Sequence, residues 1–168
     1  MSEASTAVDL VKLQQYLHDH IPISAAMGVR VAEASDEGVR LTAPLDLNIN
    51  HRSTVFGGSA AAIGILAGWT LLHVRLGHAG RGSRIVIQRS TIEYSDPIDG
   101  DFEAVAIAPE LDEWERFSRL LDRRGRSRID IRTEMRRNGA VLGECVGTYV
   151  VLPPDANEDS TTICSPLS

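Results

Sequence analysis

From Ala60 to Leu76 the chain reads Ala-Ala-Ala-Ile-Gly-Ile-Leu-Ala-Gly-Trp-Thr-Leu-Leu-His-Val-Arg-Leu. The segment has the length of a helix and is apolar on every face, whereas a surface helix keeps one polar side. Such a helix must be covered all round, by protein or by lipid. It contains His73 and Arg75, is rich in small residues and is short for a comfortable membrane span, so the reading is a core helix. Ala60, Gly64 and Gly68 recur at every fourth position and give the helix a flat side open to close approach.

The flanking segments supply the cover. Leu10, Leu13, Leu17 and Ile21 mark one face of a first helix that Pro22 should stop. Met27, Val29 and Val31 alternate as a half-buried strand, and Asp36-Glu37-Gly38 turns it into Val39, Leu41 and Ala43. Arg84 to Tyr94 reads as a long strand that Pro97-Ile98-Asp99-Gly100 turns back into Phe102 to Ala108. A short helix follows, with Asp112 and Glu115 at capping-box spacing and Trp114, Phe117 and Leu121 as its apolar contacts. Ser127 to Met135 alternates cleanly, Arg137-Asn138-Gly139 is a hairpin turn, and Val141 to Leu152 returns. Three hairpins and one wholly apolar helix predict an α+β hotdog fold, an antiparallel sheet wrapped around a long central helix. The domain is expected over residues 1–153, with Pro153-Pro154 opening a flexible tail over 154–168.

Composition narrows the classes. A chain of 168 residues with 43% apolar content can bury a real core. A net charge of −6 argues against nonspecific nucleic-acid binding. Cys145 and Cys164 make no disulfide framework, and no His/Cys spacing suggests a metal. The N-terminus lacks the pattern of a signal peptide, so a cytoplasmic protein without membrane attachment is expected.

The segment entering the apolar helix carries the chemistry. Asn48-Ile49-Asn50-His51-Arg52-Ser53-Thr54-Val55-Phe56-Gly57-Gly58-Ser59 brings two amides, an imidazole and a hydroxyl to the first turn of a buried helix. Free backbone N–H groups and the positive end of the helix dipole suit an acyl oxygen that becomes negative during a reaction. Asn and Thr also satisfy their own backbone in loops, and that reading stays open for Asn50 and Thr54. Asn48 reads as a brace for the loop and Ser59 as a helix cap.

Loop, strand order and buried helix together resemble the hotdog-fold thioesterase superfamily. The pattern Asn48-x-Asn50-x-x-x-Thr54-x-Phe56-Gly57-Gly58-Ser59, with Ala43-Pro44-Leu45 before it and Gly68-Trp69 after, is similar to the YiiD C-terminal-like branch. The resemblance spans roughly residues 10–152. It implies a homodimer with sites at the protomer interface and a substrate carried on acyl carrier protein or coenzyme A, with no further cofactor. It also implies malonyl-thioester decarboxylation by an Asn-x-x-x-Thr pair, which Asn50 and Thr54 match. Asn48, His51, Phe56, Gly57, Gly58 and Ser59 would line the substrate. Many hotdog thioesterases place a histidine before the Gly-Gly pair and a carboxylate on the helix. Here Phe56 takes the first position, and no acid occurs from Leu47 through Ile92.

Loss of CO₂ from a malonyl thioester asks for donors at the enolate oxygen and no general base. Hydrolysis asks for a base, for which His51 is the nearby candidate. A noncatalytic acyl-thioester sensor is the third class. The run Arg123-Arg124-Gly125-Arg126-Ser127-Arg128 is either a patch that steers an anionic carrier or a solvated turn and strand face.

Overall fold

The computed structural model describes residues 7–79 and 84–154. Six strands form one sheet in the order β1-β2-β4-β5-β6-β3, and every neighbouring pair is antiparallel. They are β1 (Arg30–Ser35), β2 (Gly38–Ala43), β3 (Arg84–Tyr94), β4 (Phe102–Ile107), β5 (Ser127–Arg137) and β6 (Ala140–Leu152). The helices are α1 (Leu10–His20), α2 (Pro22–Ala26), α3 (Gly57–His78) and α4 (Leu111–Arg124). Of the expected tail, residues 155–168 lie outside the described residues, as do residues 80–83 between α3 and β3.

α3 is the apolar segment, extended to 22 residues. At that length and hydropathy it is long enough to cross a bilayer, which corrects the expectation that it is too short. In this fold it packs against all six strands, with Ile63, Ala67, Leu71 and Leu72 fully enclosed. Its three basic side chains find partners, His78 at the Asp36 carboxylate (2.8 Å). His73 stacks against both Tyr16 and Trp69 (4.9 Å each), which also face each other at 6.4 Å, and the Arg75 guanidinium lies 4.1 Å from the Trp114 ring centroid while donating to the Asp36 carbonyl. Desolvation holds the His73 pKa below its usual range.

The flat side of α3 receives side chains rather than backbone. A Cβ on Gly64 would stand 3.2 Å from the Cys145 Cβ and 3.3 Å from the Met135 sulfur. At Gly68 it would overlap the Tyr149 hydroxyl, which donates to the Ile65 carbonyl at 2.6 Å. The helix therefore needs glycine where β6 presses bulky groups onto it.

Several local expectations change. Pro22 ends α1 but begins α2, as proline suits the first helical position. β1 starts at Arg30 rather than Met27, after the turn at Gly28. The expected helix α4 runs for 14 residues and buries Phe117 and Leu121, but it starts at Leu111 without a side-chain cap, so Asp112 and Glu115 form no capping box. Asp112 instead sits in the first turn, where its charge complements the dipole. On β5, Ile129, Ile131, Thr133 and Met135 are buried as the alternation requires. The β5–β6 turn forms at Asn138 (φ 50°) and Gly139 (φ 80°), the left-handed pair a tight hairpin demands.

The largest departure is the absent hairpin between β3 and β4. β3 pairs with β6, whereas β4 lies between β2 and β5. The link through residues 95–101 therefore crosses the sheet past two strands. It is held by Ser95 N–H to the Leu142 carbonyl (2.9 Å), Val55 N–H to the Ile98 carbonyl (2.7 Å) and Arg137 to Asp99 (2.7 Å).

Gly68→Ala should lower stability by about 1–3 kcal/mol, because the methyl must displace the Tyr149 hydroxyl from a packed core. Urea unfolding followed by circular dichroism measures it. Unchanged stability would mean that α3 has room to move away from β6.

Candidate active site at the foot of the central helix

The loop before α3 closes on itself. Ile49 and Val55 form an isolated antiparallel bridge, and Asn50 N–H donates to the Thr54 carbonyl at 2.8 Å. Ser53 turns the tip at φ 60°. The Asn50 Oδ1 accepts from Arg52 N–H (2.7 Å) and Thr54 N–H (3.3 Å). These two donors fix which end of the amide is oxygen. Its Nδ2 then donates to the Thr54 Oγ1 at 3.0 Å and the Val55 carbonyl at 3.2 Å. The Thr54 oxygen is an acceptor toward Asn50, so its own proton remains available to a ligand.

α3 begins at Gly57 with Phe56 as N-cap residue and no side-chain cap. The first helical bonds run from the Ser59 and Ala60 N–H groups to the Phe56 carbonyl. The Gly57 and Gly58 N–H groups lie ahead of them, without a partner among the described residues. An uncapped N-terminus of a long helix attracts negative charge. A cavity of about 390 Å³ opens beside it, with Thr54, Gly57, Tyr94, Ser95 and Asp96 on its wall. Tyr94 donates its hydroxyl to the Gly57 carbonyl at 2.6 Å, and partial burial raises its pKa, so it stays a phenol there.

Residues 10–153 match the family model described as "Putative thioesterase (yiiD_Cterm)". The chain belongs to this family. A protein of unknown function from Chlorobaculum tepidum TLS is similar at 27% identity and a TM-score of 0.82, over 90% of this chain and 100% of that one. A protein from Shewanella oneidensis, called a "putative thioesterase", aligns at 26% identity and a TM-score of 0.74, over 86% of this chain and 97% of that one. A Pseudomonas aeruginosa protein called a "probable thioesterase" shares the fold at 17% identity and a TM-score of 0.75, over 89% of this chain and 99% of that one. The hotdog architecture is thus common to the family and to this chain.

Within this thioesterase-family site the structure sorts the residues singled out in the sequence. Thr54 and Gly57 line the cavity. Asn50 stands behind Thr54, with both amide hydrogens committed inside the loop rather than directed outward. Asn48 is buried and its side-chain amide donates to the Met27 and Pro44 carbonyls at 2.9 and 2.7 Å, while its backbone carbonyl accepts from Phe56 N–H. It ties the loop to the end of α2, as a brace should. Ser59 is the third residue of α3 and therefore not its cap. The exposed Phe56 ring fills the space that a side chain at Gly58 would need. His51 is exposed at the loop tip and is not part of the cavity wall.

Sequence reasoning missed Tyr94, Ser95 and Asp96. The acid-free run ends at Ile92, and the crossing link carries the Asp96 carboxylate to the cavity. Cys145 is no nucleophile candidate, because burial beneath α3 pushes its thiol up to about 11. No group of three metal-ligating side chains occurs among the described residues.

Thr54→Ala should slow thioester turnover by about 10²–10³, the usual cost of one oxyanion donor, with a folded protein. His51→Ala should keep most activity, whereas loss of a general base costs about 10²–10⁴. Steady-state rates of both purified variants test this pair. A collapse at His51 with an intact Thr54→Ala enzyme would reverse the assignment.

Proposed function

We propose that this cavity decarboxylates a malonyl thioester, carried on acyl carrier protein or coenzyme A, to the acetyl thioester. The observation that carries the reading is the Thr54 hydroxyl, tied by Asn50 at 3.0 Å on the cavity wall beside the uncapped start of α3. The C–C bond to the carboxylate breaks, its electron pair moves into the thioester carbonyl, and CO₂ leaves. Negative charge then collects on the carbonyl oxygen, where the Thr54 hydroxyl and the Gly57 N–H can donate. Water returns a proton to the carbanion carbon. Thr54 is the catalytic donor in this scheme and Asn50 its positioning residue. No side chain has to accept a proton.

One observation favours a second reading. Asp96 lines the same cavity, and its carboxylate can take a proton from water attacking the thioester carbon. The outcome is then hydrolysis to the free acid and thiol, with Thr54 and the helix start serving the tetrahedral oxyanion instead.

We also propose that the site works in a homodimer formed through β3. One edge of β3 bonds to β6, the other carries no strand of the described chain, and none of its residues is buried. Val86 (47% exposed), Ile87 (38%) and Tyr94 (52%) leave apolar surface along it. A long open edge of this kind is normally paired or covered.

Incubating the chain with malonyl-CoA and malonyl acyl carrier protein separates the readings by product. Acetyl thioester with the thioester bond intact is expected, and Asp96→Asn should retain that activity. Free thiol as the main product, abolished by Asp96→Asn, would establish hydrolysis. Binding without turnover of either substrate would make the domain a sensor. Light scattering should give twice the chain mass, and Ile87→Arg should shift it toward one chain.

A further inference from the structure

A second cavity, of about 920 Å³, lies between α4 and the outer side of β5, β6 and β3, and shares no lining residue with the first. Arg116 and Arg124 reach it from α4, Arg126 from the turn before β5, Arg128 from β5 and Arg89 from β3. Two carboxylates, Glu113 and Asp130, stand among them. Four arginines elsewhere in the described chain are closely paired. Arg40 meets Glu33 and Glu103, Arg132 meets Glu144, Arg136 meets Glu134 and Arg137 meets Asp99. None of the five groove arginines has an ion pair with a described carboxylate.

Five guanidinium groups against two carboxylates leave the groove with an excess of positive charge in a chain whose net charge is −6. A multiply charged anion complements that excess. Guanidinium forks match phosphate oxygens in paired hydrogen bonds, and three sides of the groove present them. Between the charges, Leu120 and Val150 form a half-buried apolar strip that suits the face of a flat ring. The volume lies in the range of small-molecule sites. Concave shape and the lack of exposed aromatic residues in the wall count against single-stranded RNA.

We propose that this groove binds a phosphorylated nucleotide, its phosphates on the arginines and its base against Leu120 and Val150. The same chemistry comes from two sources, a free nucleotide or the nucleotide handle of a coenzyme A thioester. Only the second rests on the function proposed above.

Isothermal titration calorimetry on the full chain, with coenzyme A, ADP and pantetheine as probes, tests it. Coenzyme A and ADP should bind, pantetheine should not, and pyrophosphate should compete. Arg116→Ala combined with Arg128→Ala should weaken nucleotide binding by about tenfold or more, since each removes a charge-assisted contact. Thr54→Ala should leave that binding intact, so a failed catalytic reading does not disturb this test. Much tighter binding of coenzyme A than of ADP, with a raised KM for malonyl-CoA in the arginine variant, identifies the handle. Equal affinities and an unchanged KM identify a free nucleotide. The proposal is overturned if neither nucleotide binds the wild type, or if the folded arginine variant binds both as well as the wild type does. Arginine-dependent binding of an acidic carrier protein with no nucleotide binding overturns it too.

Discussion

α3 has no face that water can cover, and the rest of the chain is arranged to meet that demand. Six strands contact it, and side chains from β5 and β6 reach into the surface left by Gly64 and Gly68. A helix enclosed along its length still has to begin somewhere. Its first N–H groups have no earlier turn to donate to, and the sequence offers no capping side chain at Phe56. Packing thus produces a polar, positively poised spot at the edge of an apolar core. The cavity beside Thr54 is where that spot meets the outside.

The loop supplies what the helix lacks. Asn50 accepts two backbone N–H groups with one end of its amide and donates to Thr54 and Val55 with the other. The loop itself holds the Thr54 hydroxyl in place through the Asn50 amide and leaves its proton free for a ligand. Asn48 secures the same loop from beneath. The loop and the helix start therefore form one unit, built from neighbouring residues of one segment.

That locality explains what could be read from the sequence. α3 was legible because a stretch apolar on all sides has few fates, and the β5–β6 hairpin because strict alternation flanks Asn138-Gly139. The Asn50–Thr54 pair came from the family resemblance, since at that spacing alone each residue could equally satisfy its own backbone. Which way the Asn50 amide points was not legible, since its backbone acceptors exist only once the loop has closed. The β3–β4 pairing failed for a different reason. Pro97 to Gly100 does bend the chain, but β3 finds its partner in β6, far along the sequence, and no local pattern reports that choice. The same crossing brings Asp96 to Thr54, so one misread connection concealed one carboxylate.

Tyr94 belongs to two structures at once. It is the last residue of β3, whose outer edge is open, and its hydroxyl grips the Gly57 carbonyl at the start of α3. A displacement of that edge is transmitted through a single 2.6 Å bond to the turn that flanks the cavity. Whatever settles against β3 thereby acquires mechanical leverage over the mouth of that cavity.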